Sequence, residues 1–505
     1  MNRNESSTGY DVVIIGSGLG GLLCGAILSR NGHRVCILEK HHKAGGNLQT
    51  FSRNGIEFNS AMHYVGAMDP GQILHRVFRY LGVIDRTGLE KLDEDQYEMV
   101  YLGDRLFAHA NGMEAHRERL LSYFPGEQKA IDTYLKTIQE VWDSTNVLNL
   151  MDFRNLYDAD TRYTQINAYD FIDRLTDNEE LKSLWGVTSA LYAGIPDRSP
   201  LITHAIINYH YIQSAYKFSR GSGRLALALC DVIRANGGEV IMNREVTAFE
   251  YREKEASAVL CRNGSRYEAS SFISNIHPAR LVDMVEPGRF RKAYVTRIKE
   301  LENTIGSFCV YLELNPGRFR NINSNVFISS TRKVWNAGMY DQLEWPAACM
   351  LYTTPSGKDP EYAESLTVSA FMKYDEVKAW EDTTVEKRGD DYRAFKRDRA
   401  EALISLVASR YPGLRAVIAA YYTATPLTFR DYTGIPEGSV YGILKDCNNP
   451  RRSYISPNTR IPNLFLTGQN SGVGLHGVLG VTVSALFTCA NFIDIGNLLQ
   501  TIRNG

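Results

Sequence analysis

Near the start of the chain, two features have residue types and spacing suited to holding a dinucleotide. Gly16-Ser17-Gly18-Leu19-Gly20-Gly21 fits G-x-G-x-x-G at Gly16, Gly18 and Gly21, and Glu39 follows 18 residues after Gly21. In such a unit the first glycine permits a tight turn. The second lets the backbone approach a pyrophosphate, and the third lets a helix pack close to a strand. An acid placed like Glu39 accepts hydrogen bonds from ribose hydroxyls and disfavours a 2′-phosphate, so the pair suits FAD or NAD better than NADP.

That chemistry requires a strand before the glycines, a helix after them and a second strand ending at the acid. Asp11 to Ile15 is an apolar, β-branched run that reads as a buried parallel strand. Leu22 to Leu28 is small and apolar at helical spacing, Asn31-Gly32 stops it, and Val35 to Leu38 reads as a second buried strand. The helix start offers free N–H groups and a partial positive charge to phosphates. All five parts fall in register, so a dinucleotide site outweighs a glycine-rich turn of some other α/β fold.

The 505 residues exceed one ordinary core and predict two intertwined domains. Hydrophobic residues at 44% and charged residues at 22% are those of a globular protein. A net charge of −1, with no basic cluster among aromatics, argues against nucleic acid as a partner. MNRNESSTGY lacks the apolar core of a secretory signal. The eight cysteines are scattered without C-x-x-C, and several sit in apolar runs, so they read as buried free thiols in a reducing cytoplasm. Leu464 to Ala490 is nearly chargeless, but Gln469, Asn470, His476 and its glycines favour a buried strand and helix over a membrane span. Peripheral membrane contact stays open.

Downstream of Glu39 come Ala44-Gly45-Gly46-Asn47, Thr50-Phe51, Gly55-Ile56-Glu57-Phe58 and His63-Tyr64-Val65-Gly66. This series resembles the second motif of the amine-oxidase-like flavoproteins. Within them it is most similar to the phytoene desaturase, carotene isomerase and retinol saturase family, on its retinol saturase side. Leu464 to Gly468, Gln469 and the glycine-bearing helix expected from near Gly474 resemble that family's closing motif, where the helix start points at the flavin pyrimidine ring. The resemblance implies FAD as cofactor, held by Gly16, Gly18, Gly20, Gly21, Glu39 and Lys40, then by Gly45, Gly46, Asn47, Met62 and His63. It also implies contributions from the Val246 backbone at the adenine and from Gly468, Gln469, Gly477 and Val478. The fold so implied is α/β: a Rossmann-type FAD-binding domain (1–70, 217–300, 450–505) interleaved with an α+β substrate-binding domain (71–216, 301–449).

Between the motifs, residues 69–216 read as mainly helical, with helices expected around Ile73–Leu81, Pro125–Val141 and Tyr169–Leu175. Ile206 to Phe218 is rich in Tyr and His, and reads as core packing in preference to the wall of an apolar tunnel. His204 and His210 are six residues apart and do not share a helical face, and no metal site is expected there or at His41-His42. Arg220-Gly221-Ser222-Gly223-Arg224 fails the full fingerprint because residue 226 is Ala, and no clean buried strand is read before it, so no second domain for NADPH is expected. Glu239–Met242 and Ala258–Cys261 read as strands, with a short turn at Glu245-Val246-Thr247. Phe308–Leu314, Asn325–Ser329, Ala348–Tyr352 and Leu366–Phe371 read as the sheet of the substrate domain. Asp391–Ser409 reads as a charged-faced helix, and Thr425–Gly438 as a Pro- and Gly-marked loop.

The chemistry implied is hydride exchange between a flavin and carbon. A long apolar polyene spreads developing charge, so the substrate expected is a polyene or isoprenoid, reduced, desaturated or isomerised. Two alternatives are a flavin amine oxidase and a non-catalytic FAD-binding redox protein. No strong general acid stands out. His63 and Tyr64 are the catalytic candidates, followed by His476 and then Glu437.

Overall fold

β-Branched residues at Val12 to Ile15 build β1 (Tyr10–Ile15), which runs into α1 (Leu19–Arg30) and then β2 (Val35–Leu38). Successive side chains of β1 point to opposite faces: Val12 and Ile14 enter one core, Val13 and Ile15 another. The computed structural model describes residues 9–151, 162–472 and 475–505.

β1 and β2 lie inside a seven-stranded sheet whose order is Glu239–Ile241, β2, β1, Arg266–Ser274, Glu255–Cys261 and Val246–Arg252, with Leu464–Leu466 also on Arg266–Ser274. The pairs around β1 are parallel and in register, with Ile15 beside both Leu38 and Ser274. Glu39, Gly16 and Asn275 therefore emerge at one level of the same sheet end, where ligands of open α/β sheets bind. α1 packs against helices Gly223–Ala235 and Gly477–Cys489.

A second seven-stranded sheet runs Ile418–Ala424, Gly306–Leu314, Ala363–Met372, Ala348–Pro355, Asn325–Ser329, Glu98–Leu102 and Arg105–His109. One face, through Val310, Leu351 and Val368, packs on helix Gly389–Ala408 at Leu403 and Ile404. A three-stranded sheet of Tyr64–Gly66, Ala215–Phe218 and Leu89–Lys91 joins the two halves.

Five sequence expectations need correction. Residues 69–216 are not only helices: Glu98–Leu102 and Arg105–His109 form a hairpin about Gly103, whose φ of +56° suits the tight turn. Thr425–Gly438 is not a plain loop, because Pro426–Thr433 is a helix. Pro426 fits its first turn, Thr425 and Thr428 cap it reciprocally, and left-handed Gly434 ends it. A strand, Ala215–Phe218, does precede Arg220–Arg224, but it lies in an antiparallel sheet that lacks the parallel register of β1. Val246 opens a strand instead of sitting in a turn. The closing helix begins at Gly477, and Gly474 lies outside the described residues. No described helix is long and apolar enough to cross a membrane. All eight cysteines are buried and unpaired.

Candidate cofactor and reaction site

A cleft of about 840 Å³ opens at the end of the first sheet. Gly16, Gly18, Gly20, Glu39, Lys40, Gly45, Gly46, Asn47 and Met62 line it. So do Val246, Gly468, Gln469, Gly477 and Val478. Residues from three separated stretches of chain thus meet at one surface. Gly21 lies beneath it, and His63 is near it in sequence but absent from its lining.

The cleft has the chemistry a dinucleotide requires. Gly18 caps α1 with no side chain bonded to the first turn, so backbone N–H groups face the cleft at the positive end of a 12-residue helix. A Cβ on Gly18 or Gly20 would fall 2.7 or 2.6 Å from the Asn275 side chain, and one on Gly46 would fall 3.1 Å from Gly18 Cα. The glycines therefore leave a smooth backbone cradle that larger residues would fill. Glu39 is almost fully buried. Its Oε2 accepts from Ser17 N and Ser17 Oγ at 2.9 and 2.6 Å, and its Oε1 accepts from His41 N at 2.9 Å. These bonds fix the carboxyl group in place, with lone pairs left for sugar hydroxyls.

Asn275 was not among the expected site residues. Its Nδ2 donates to Gly16 O at 3.4 Å, and its side chain also closes on Gly468. It follows directly on strand Arg266–Ser274, whose pairing with β1 brings it to the glycine turn. The wall formed by Tyr432, Thr433, Gly434 and Ile435 was missed too. There the carbonyl end of helix Pro426–Thr433 meets the side chains of Lys40, Arg280 and His41. Lys40 Nζ reaches Asp431 O and Arg280 Nε reaches Gly434 O, each at 3.4 Å, while His41 Nε2 bonds Tyr432 O. The buried Arg388 ties Asp431 from behind.

Beyond Met62, the chain crosses to the second sheet. Tyr311 OH donates to Ser60 O at 2.9 Å, and His63 stacks on Tyr352 at 3.5 Å between ring centroids, with Tyr352 OH 2.5 Å from His63 Nε2. Burial holds His63 well below the usual imidazole range, so its ring is neutral, and His63 Nδ1 has no partner. Tyr64 lies across a strand pair from Lys217 and stacks on Tyr211 at 4.3 Å. Burial raises its phenol well above the ordinary value. His476 caps the helix that starts at Gly477, its ring 5.5 Å from Tyr441, and burial pushes it down to about 3. Glu437 is exposed. Among the described residues no cluster of His, Cys, Asp or Glu could hold a metal. His204 is instead bonded by Tyr134 and Tyr192 hydroxyls at 2.9 and 3.0 Å.

Residues 19–490 match the family model described as flavin containing amine oxidoreductase. An all-trans-retinol 13,14-reductase from Danio rerio is 26% identical over 98% of this chain and 89% of that protein. A lycopene-forming phytoene desaturase from Pantoea ananas is 23% identical over 92% of this chain and 96% of its own. Among solved structures, an oxidoreductase from Methanosarcina mazei superposes with a TM-score of 0.65 over 94% of this chain and 98% of that one, at 16% identity. That last likeness is one of fold.

Proposed function

The chain belongs to the family of flavin-containing amine oxidoreductases, and from that premise we propose that this FAD-dependent enzyme moves hydrogen to or from carbon–carbon bonds of a long apolar polyene. The observation that carries this reading is the span of the similarity. The retinol reductase matches over 98% of the chain, so it takes in the second sheet as well as the nucleotide unit. Retinol and lycopene, in the relatives' names, are both isoprenoid polyenes.

Bound FAD supplies hydride transfer between its ring and carbon. In our reading, the N–H groups at the start of α1 hold its pyrophosphate, Glu39 its ribose, the Val246 backbone its adenine, and the start of helix Gly477–Cys489 its pyrimidine edge. Gly45 to Asn47 and Gly468-Gln469 close around the middle. We assign 1–70, 217–300 and 450–505 to the FAD-binding domain and the remainder to the substrate domain. We assign the catalytic roles to His63 and Tyr64, which follow cleft-lining Met62 without lining the cleft themselves, with Tyr352 fixing the neutral His63 ring. Two residues along the strand from Tyr352, Met350 joins Phe327, Phe371, Val187 and Val334 around a small apolar cavity of about 50 Å³. We place the protein in the cytoplasm, in contact with membrane surfaces where such a substrate dissolves.

The test is anaerobic. Dithionite-reduced enzyme mixed with all-trans-retinol is expected to recover its oxidised flavin band as a dihydro product forms. An unchanged band with retinol and with carotenoids, but bleaching of the oxidised enzyme by an amine, would replace the polyene by an amine substrate.

The clasp at the carbonyl end of helix Pro426–Thr433 leads to a second expected result. Lys40→Ala combined with His41→Ala is expected to speed FAD release roughly tenfold. Two hydrogen bonds to the carbonyl end of the helix together contribute about 1–2 kcal/mol, and 1.4 kcal/mol is a factor of ten. The rise of free-flavin fluorescence after dilution measures it. A release rate equal to that of the parent would show that the clasp does not retain the cofactor.

A further inference from the structure

One side chain fills the space that the glycines around the first turn leave open. A Cβ on Gly18 would fall 2.7 Å from Asn275 Nδ2, and a Cβ on Gly20 or Gly468 would fall 2.6 or 2.7 Å from Asn275 Oδ1. On Gly21 it would fall 3.3 Å from Asn275 Cβ. The fingerprint accounts for Gly18 and Gly21 but not for Gly20, which stands at one of its free positions. The Asn275 amide, together with Gly468 Cα at 2.9 Å from the same added carbon, supplies the reason for glycine there.

Strand register brings the amide to this place. Ser274 is paired with Ile15 of β1 on one side and with Leu466 on the other. Asn275 is the next residue, so it emerges between the turn after β1 and the turn after Leu464–Leu466. Its backbone N donates to Ile15 O at 2.9 Å, and its half-buried side chain lines the cofactor cleft.

Neighbouring polar groups are engaged elsewhere. Ser17 is fully buried and donates to Glu39. Thr467 is buried, and its Oγ1 accepts from Cys24 Sγ at 3.5 Å. Lys40 and Arg280 reach the wall around Tyr432, at Asp431 O and Gly434 O. An asparagine amide has two N–H donors. One goes to Gly16 O at 3.4 Å, and no protein acceptor takes the other among the described residues. That second donor stands beside Gly18, at the start of α1, where an anionic oxygen is favoured.

We propose that Asn275 is a diphosphate-binding residue, its second Nδ2–H donating to a phosphate oxygen of FAD between the glycine turn and the Gly468 turn. This rests on the placement of the FAD diphosphate at the start of α1. The amide adds a donor without adding a charge. It also joins the first and last cofactor-binding stretches of the chain through one group. Asp at this position keeps the shape, loses both N–H donors and sets a carboxylate against the phosphates. A carboxylate is itself favoured at a helix start, so this substitution is aimed at the cofactor and not at the fold.

The experiment uses the full chain loaded with excess FAD. After dilution, Asn275→Asp is expected to release FAD about 100-fold faster than wild type and Asn275→Ala about 10-fold faster, with circular dichroism unchanged. Phosphorus NMR of the loaded protein gives a readout that packing alone would not move. One of the two FAD phosphate resonances is expected to differ between wild type and Asn275→Ala, while the other stays in place. Asn275→Ala carries the test if Asn275→Asp does not fold. Wild-type release from Asn275→Asp would overturn the assignment. So would identical phosphorus spectra in wild type and Asn275→Ala, or equal displacement of both resonances. Bound wild-type FAD whose phosphate resonances match those of free FAD would instead remove the diphosphate from the helix start, and the placement itself would fall.

Discussion

Gly21→Ala is expected to yield protein without bound FAD, its folding stability lowered by roughly 3 kcal/mol or more. A Cβ at residue 21 would stand 2.2 Å from Gly16 O and 3.2 Å from Ile14 Cγ2. Gly16 O is backbone in the turn between β1 and α1, and Gly16 N is itself bonded to Leu38 O at 2.9 Å. The turn cannot give way without pulling β1 from β2 or lifting α1 off the sheet, and either movement destroys the N–H array at the cleft. Two other glycines supply the comparison. At Gly25 the added carbon would meet the tips of Ile37 and Ile233, at 2.7 and 3.0 Å, which can rotate away. At Gly32 it would meet nothing within 4 Å, and only a φ of +87° opposes it, a strain of about 1–2 kcal/mol. The flavin-to-protein absorbance ratio and a denaturation midpoint for all three variants measure the effect. Normal FAD content in Gly21→Ala would show that close approach at this turn does not build the site.

Lys445→Met is expected to stabilise the protein by about 3 kcal/mol at pH 7. Lys445 is 9% exposed, and its Nζ has one long contact, 3.5 Å to Ser453 O, with no carboxylate paired to it among the described residues. Burial lowers the ammonium from 10.5 to about 8, and each unit of such a shift is worth about 1.4 kcal/mol. Below pH 8 both folded and unfolded chains hold the proton, so the wild type bears the full penalty. Between pH 8 and 10.5 the folded chain releases the proton while the unfolded chain keeps it, so wild-type stability rises with pH. Above 10.5 the penalty is gone. The advantage of Met is therefore expected to be complete at pH 7 and to shrink through that window, as followed by the thermal midpoint of the holoprotein. The gain agrees in sign with what apolar replacements of buried charges achieve. An advantage that did not change from pH 7 to 10.5 would mean that packing, and not the charge, sets the cost.

Wild-type chains keep this costly cation close to functional groups. It bears on His277, which lines the cleft, and on His476, which caps the helix at its floor. Both histidines are pushed down, chiefly by burial, to about 4 and about 3.

The amino-acid sequence by itself determined the nucleotide unit from Tyr10 to Glu39. Each of its instructions acts over a few residues: β-branching makes the strands, glycine opens the turn, and an apolar period makes the helix. It also determined that Gly45, Gly46 and the Gly468 turn would belong with that unit, through resemblance to a family whose model spans 19–490. The hairpin Glu98–His109 was in principle legible, since buried Glu98, Val100 and Leu102 alternate with less buried Met99 and Tyr101. The polar residues at its two ends, Glu98 and His109, disguised it. The helix Pro426–Thr433 was hidden because proline and glycine mark helix ends as readily as loops.

Only the tertiary structure decided which side chains meet. Asn275 and Gly16 are 259 residues apart, Tyr352 and His63 289, and Tyr64 and Glu98 34. No periodicity or propensity encodes such encounters. They follow from strand register, because a shift of one residue would turn Tyr352 away from His63, and Glu98 away from His109, to the opposite face of the sheet.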